Sequence, residues 1–373
     1  MLRGFKVKLH PTEEQKTLML KSFGTARWVY NWALNIQKEN FKDGGKFLSS
    51  VTLKKEITQL KKQDEYKWLN EVSAKVAAQA IIDLCEAYLK FFSKKVQFPR
   101  FKCKKDNCDS FFQREDHFNI RGKKVLLEKI GYVAMAEKII PSGEGTKYHN
   151  PRIKYDGINM WLTVSVEVNE NQTDENKTEP IGIDLGLKTL AVCSNGKEYK
   201  KPNIRKLLKR LKRFKRRASR TYLYMKRNKI SFKEKSKRLI KLEKLILKEN
   251  HKITNILNDN IHKMTTELVK LNPSAIVIED LNVVGMFKNK HLSNTLKYSK
   301  FGEVIRQIKY KCAFKNIKLI IADRWYASSK TCSCCNHKKE KLSLSERVFV
   351  CNKCGIHIDR DLNAALNLKK LAI

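Results

Sequence analysis

Pro180 is followed by Ile181-Gly182-Ile183-Asp184-Leu185-Gly186-Leu187, and then by Thr189-Leu190-Ala191-Val192. Both runs are short and apolar, and a glycine-containing turn separates them, so they predict two strands of a mixed sheet. An acidic residue, Asp184, lies inside the first of them. The pattern recurs downstream. Ala275-Ile276-Val277-Ile278 is a buried-strand candidate ending in Glu279-Asp280, and Lys318-Leu319-Ile320-Ile321 is another. A third carboxylate, Asp361, lies where a final helix begins, in Asp359-Arg360-Asp361-Leu362-Asn363-Ala364-Ala365.

The composition narrows the partner. With 373 residues and 42% hydrophobic content, the chain can build two or three domains with a sizeable core and is not wholly disordered. Its 78 Lys and Arg against 38 Asp and Glu leave a net charge of +40. That excess exceeds what solubility needs and implies a polyanion, either nucleic acid or an anionic membrane. No apolar run reaches the roughly 18 residues of a membrane span. Residues 1–9 alternate like a strand and lack a signal peptide's apolar core. Nucleic acid is therefore expected and a membrane is not. Of ten cysteines, five lie between Cys332 and Cys354 at metal-ligand spacing, which suits a reducing cytosol.

Outward from the acids, the texture changes several times. Pro11 and Thr12 open a helix with Glu13 and Glu14 in its first turn. A second helix is marked by Val72, Val76, Ala80, Leu84, Ala87 and Phe91. Trp28, Trp32 and Phe91 read as helix–helix core. From about Gln97, short runs such as 124–127, 152–155 and 161–168 predict a small β domain. Cys103 and Cys108 within it lack a second ligand pair and do not suggest a metal site. The polar stretch 169–180 reads as a linker. Between Arg205 and Asn250 stand 20 Lys or Arg and only three acids, over apolar stripes at helical spacing. Like charges three or four residues apart cost helix stability, and a phosphate backbone would relieve them.

Two chemistries follow. Phosphodiester hydrolysis needs an activated water and a stabilised leaving oxygen, which two magnesium ions about 4 Å apart can supply. Magnesium prefers carboxylate oxygens, so Asp184, Glu279 and Asp361 are the candidate ligands and catalytic acids, in an order that suits a ribonuclease-H-like sheet. Alternatives stand beside each: Asp184 as a turn stabiliser, Asp280 in place of Glu279, and Asp361 as a helix cap in competition with Asp359. The second chemistry is a closed structural zinc site at Cys332, Cys335, Cys351 and Cys354, two Cys-x2-Cys pairs 15 residues apart. Cys334 offers a one-residue shift, and His337 and His357 are reserves. A filled shell has no open position, so this zinc would position the segment before Asp361. It would also present Lys338, Lys339, Lys341 and Arg347 to nucleic acid.

Four blocks carry a family resemblance: Phe23-Gly24-Thr25-Ala26-Arg27-Trp28-Val29-Tyr30-Asn31, Gly182-Ile183-Asp184-Leu185-Gly186, Ile278-Glu279-Asp280-Leu281-Asn282-Val283, and Ser328-Ser329-Lys330-Thr331-Cys332 through the Asp-Arg-Asp-x-Asn-Ala-Ala ending. Together they resemble the OrfB/TnpB proteins of insertion sequences, compact relatives of the type V CRISPR effectors. The resemblance implies a multidomain α+β chain. A RuvC-like α/β nuclease domain would carry a zinc-ribbon insertion, and a β-barrel-like wedge domain would carry a helical recognition insertion. The expected division is a first wedge strand at 1–10, recognition helices at 11–95, wedge at 96–170 and linker at 171–180. The nuclease would occupy 181–324, with a basic helical insertion at 203–271, then a zinc-binding domain at 325–354 and the rest of the nuclease at 355–373.

The same resemblance implies Asp184, Glu279 and Asp361 as the metal-binding acids. It also implies a guide RNA from the transposon right end and double-stranded target DNA cut beside a short motif. A cytoplasmic prokaryotic monomer, nucleoid-associated when bound to DNA, is expected, with a dimer as the alternative. Two other functions remain open at this point: a noncatalytic RNA-guided DNA-binding regulator and a strand-transfer transposase.

Overall fold

The computed structural model describes residues 2–104, 109–143, 145–168, 177–231, 234–343 and 346–372, with side chains at 290–292 and 294 excepted. The chain divides into two compact units, Met1–Asn169 and Glu170–Ile373. Most of the expected linker (169–176), and Cys108, lie outside the described residues.

In the first unit, β1 (Leu2–His10) lies mid-sheet, because its neighbours on both sides come from far along the chain. It pairs antiparallel along most of its length with β7 (Met160–Glu167) and at its end with β5 (Gly131–Met135). With β2 (Asp109–Phe112), β3 (Asn119–Arg121), β4 (Lys124–Leu127) and β6 (Tyr148–Tyr155), the order is β2-β6-β7-β1-β5-β4-β3. Among the described residues this is one open sheet. The expected barrel-like closure is not made by hydrogen bonds, because the edge strands β2 and β3, of four and three residues, are not paired to each other.

Helices α1 (Glu13–Lys42), α2 (Ser50–Leu60) and α3 (Ala74–Phe92) accompany this sheet, with a 3₁₀ turn at Asp64–Asn70. Thr12 and Gln15 form a capping box at the start of α1. Two ion pairs tie helices to strands: Arg27 to Asp109 at 2.7 Å, and Arg152 to Asp83 through both carboxylate oxygens at 2.7 Å. Burial works against the charge on Asp83, but the Arg152 fork wins and holds its carboxyl below the ordinary value. Trp28 and Trp32, expected in the helix–helix core, pack against it. They stack on each other at the margin of the core, only partly buried, and Phe91 sits against Phe92 and Phe98.

The second unit holds the mixed sheet that the apolar runs predict. Its strands are β8 (Ile181–Asp184), β9 (Thr189–Cys193), β10 (Glu198–Lys200), β11 (Ala275–Glu279) and β12 (Lys318–Ala322), in the order β10-β9-β8-β11-β12. β8, β11 and β12 run parallel, and β9 is antiparallel to β8. Ile276 and Ile278 face a core shared with α5 (Lys237–Lys270) and α8 (Phe301–Phe314). Val277 faces Leu368 of α9 (Arg360–Lys370). Burial on both faces explains why these strands read as continuous apolar runs. α4 (Arg205–Arg227) packs on α5 through small apolar clusters around Leu211 and Leu239.

One contact sets the distance between β8 and α9. A Cβ on Gly182 would lie 2.1 Å from the Ala365 carbonyl oxygen and 2.5 Å from the Lys369 nitrogen, both backbone atoms. Gly182→Ala should therefore destabilise this unit by at least about 1–3 kcal/mol, measured as a lower Tm by calorimetry. An unchanged Tm would mean that the helix can stand off from the strand without loss.

Candidate functional site

The two strands place two of the acids side by side. Ile183 pairs with Ile278 across the parallel β8–β11 ladder, and the next residues along are Asp184 and Glu279. Asp184 is only 9% exposed. Its carboxyl is raised well above the ordinary value, first by burial, then by the charges of Glu279 and Asp361; Arg360 opposes the shift, and a hydrogen bond with Glu279 adds to it. Asp184 therefore feels both Glu279 and Asp361 at this end of the sheet.

Helix α9 supplies the third acid, and its cap settles a question left by the sequence. Asp359 accepts from the backbone N–H groups of Asp361 at 2.9 Å and Leu362 at 3.0 Å, so Asp359 is the cap. Asp361 sits in the first turn with the Arg360 Nε 3.4 Å from its Oδ1. Asp280 is drawn aside into an ion pair with Arg324 at 2.5 Å, whereas Glu279 Oε1 accepts from the Ser328 hydroxyl at 2.6 Å. Carboxylate oxygens are the donor set a hard divalent cation takes. Among the described residues, however, only the four cysteines form a group of three or more such ligands with all donor atoms within 4.8 Å.

That group is Cys332, Cys335, Cys351 and Cys354. The two knuckles repeat each other. Cys332 N–H donates to the His337 carbonyl and Asn336 N–H to the Cys332 carbonyl. Cys351 and Gly355 do the same with Ile356 and Cys351. Each knuckle turns through one left-handed residue, Asn336 at φ 59° and Gly355 at φ 73°. Sγ atoms face across the pair at 3.6 Å (Cys332 to Cys354) and 3.5 Å (Cys335 to Cys351). Cys334 is exposed and outside the group, and so are His337 and His357. Four converging sulfurs fit a tetrahedral thiophilic ion such as zinc.

A clamp missed in the sequence joins this module to the acids. Asn363 donates to the Thr331 carbonyl at 2.7 Å and accepts from Ser333 N–H at 2.8 Å. Asn367, one turn on, donates to the carbonyls of Ser328 and Thr331 at 2.8 and 2.6 Å. Both asparagines are fully buried. The signal was their i, i+4 spacing on a helix, which puts two amides on one face.

The basic helices contribute a surface. All twelve Lys and Arg of α4 are exposed, and the helix has no acid of its own. Arg210 pairs with Glu249 and Lys235 with Glu243 from α5 or its approach. Among the described residues, no helix is long and apolar enough to cross a membrane.

Comparison with known proteins agrees with this layout. Residues 1–46 match a family described as "Helix-turn-helix domain", 163–290 one described as "Probable transposase", and 301–368 one described as "Cas12f1-like, TNB domain". The first of these segments here forms one strand and one 30-residue helix rather than two helices around a turn. The "Putative RNA-guided DNA endonuclease" of Streptomyces pristinaespiralis is 30% identical over 98% of this chain and 88% of its own length. InsQ of Escherichia coli K12, named in the same terms, is 28% identical over 98% and 91%. In fold, the chain resembles the protein in a cryo-EM structure of a Cas12f1-sgRNA-target DNA complex, with a TM-score of 0.59 at 13% identity over 99% and 98% of the two chains.

Two outcomes follow from the site. Cys335→Ser should lose about one equivalent of bound zinc by elemental analysis, whereas Cys334→Ser should keep it; equal loss would move the ligand to Cys334. The second concerns Asp184 in metal-free protein. An acid whose folded-state pKa is raised gives its full stability below its ordinary value, near 3.8, and loses it as pH climbs toward the raised value. Metal-free Asp184→Asn should therefore melt above its parent at pH 7, with the gap closing toward pH 4. Each tenfold displacement of the proton equilibrium is worth about 1.4 kcal/mol. Parallel melting curves across the pH range would contradict the coupling.

Proposed function

The chain belongs to the OrfB/TnpB and Cas12f-like family of insertion-sequence-associated RNA-guided nucleases, and from that membership we propose that it is a metal-dependent, RNA-guided DNA endonuclease. The observation that supports the reading is that Asp184 and Glu279 end neighbouring parallel strands and that the charge of Asp361, at a helix start, reaches Asp184. A regulator without catalysis would have no use for a buried Asp184 whose ionisation is opposed by two further carboxylates.

In this reading the three acids hold two magnesium ions, which when bound supply an activated water and neutralise charge on the leaving oxygen. Ser328 orients Glu279, and Arg360 moderates the field at Asp361. The four cysteines hold one structural zinc, and the Asn363–Asn367 clamp passes its rigidity to α9. The exposed cations of α4 bind the phosphate backbone of guide or heteroduplex without reading its bases. Residues 11–95 and 96–170 serve as recognition and wedge parts, and 181–324 with 355–373 as the nuclease around the zinc module at 325–354. The guide comes from the transposon right end and directs cutting of double-stranded DNA beside a short motif, by a monomer in the cytoplasm of its host.

The test is to express the chain with its native flanking sequence, sequence the RNA that co-purifies, and use it to guide cleavage. Asp184→Ala should still bind the RNA but lose magnesium-dependent cleavage by about a thousandfold, the several kcal/mol a catalytic metal contributes. Retained cleavage would sink the assignment, and joined recombinant products in place of free ends would favour strand transfer.

A further inference from the structure

The two most exposed large apolar side chains of the described residues are Trp325, at 86%, and Val284, at 78%. They are far apart in sequence, yet both lie on segments leaving the same edge of the sheet. β11 and β12 are parallel neighbours, with Glu279 paired to Ala322 at their ends. Beyond β11, the short helix α6 (Val283–Phe287) carries Val284 and the exposed Phe287. Beyond β12 comes Trp325. This is the edge where Asp184 and Glu279 stand, and the C-terminal ends of parallel strands are where such sheets bind ligands.

The Trp325 segment is fixed on both sides of the indole. Arg324 pairs with Asp280, and Trp325 N–H donates to the Asp323 carboxylate at 2.8 Å. Tyr326 OH donates to the Asn367 carbonyl at 3.1 Å, and Ser328 holds Glu279. The backbone is thus anchored to the acid centre while the ring stands in solvent. Exposed cations accompany it on the same edge, Lys188 after β8 and Lys288 after α6. An exposed aromatic ring on the end of the sheet that also carries exposed lysines suits an unpaired polynucleotide, whose bases offer π-faces and whose backbone offers phosphates. A duplex hides those faces inside its own stack.

We propose that Trp325 is a stacking platform that holds an unpaired nucleobase of the DNA strand at the acidic centre. It is a positioning residue that binds the strand next to the bond to be cut, and Val284 and Phe287 extend its apolar rim. The proposal rests on the nuclease reading above, and the experiment keeps the two apart.

The full chain, loaded with its co-purified RNA, is assayed on single-stranded and duplex DNA targets, with Trp325→Ala, Trp325→Phe and Val284→Ser beside the parent. Trp325→Ala should raise KM for the single-stranded target about 5- to 150-fold, the span of one base–aromatic stack, with kcat changed far less and Trp325→Phe recovering most of the loss. An abasic site beside the cut should raise the parent's KM and leave that of Trp325→Ala unchanged. In magnesium-free buffer, a short oligothymidylate should quench the parent's tryptophan fluorescence more than that of Trp325→Phe. A parent that cleaves, with Trp325→Ala matching its KM and quenching unchanged, overturns the proposal and leaves the nuclease reading intact. A parent that quenches but never cleaves overturns the nuclease reading instead. Loss of a dimer in Trp325→Ala by light scattering would assign the patch to a second copy of the chain and overturn the platform.

Discussion

Like charge gathered at one place is the constraint around which the second unit is organised. Asp184 and Glu279 end neighbouring parallel strands, and Asp361 is brought to them by a helix from 177 residues beyond Asp184. Burial of Asp184 makes their mutual repulsion more costly than it would be in water. Such an arrangement persists only where the surrounding packing over-determines it.

The packing does so in three ways. Gly182 lets the α9 backbone lie against β8, closer than any side chain would allow, two residues before the acid it serves. Asn363 and Asn367 bond the carbonyls of the segment leading into the first cysteine knuckle, tying the helix to the cysteine module. Ser328, within that segment, reaches Glu279 directly. The module built on four sulfurs thus bears on the geometry of carboxylates that it does not touch.

Much of this was legible in the sequence, and for identifiable reasons. Strands buried on both faces announce themselves as apolar runs, so β8, β11 and β12 were plain, and the acids at their ends stood out by contrast. Cysteine spacing named the four sulfurs because two intervening residues are what a knuckle needs; the exposed Cys334 is what the extra thiol becomes. What did not show was long-range. Strand closure depends on edge pairing that no local pattern encodes, so the expected barrel is an open sheet among the described residues. Trp28 and Trp32 keep a helical period whether they lie at the centre or the margin of a core. Asp359 and Asp361 compete for one cap on equal terms until the backbone decides between them.

The chain order of the acids also has a consequence in time. A ribosome adds about 5–20 residues per second, so Asp361 is made about 9–35 s after Asp184. Through that interval the nascent second unit can form β8, β9 and then β11 while α9 does not yet exist to cover Val277 or to deliver its carboxylate. A chain still being synthesised, close to its own message and gene, is therefore without the complete acidic centre. The late position of one helix separates the making of the strands from the arrival of Asp361.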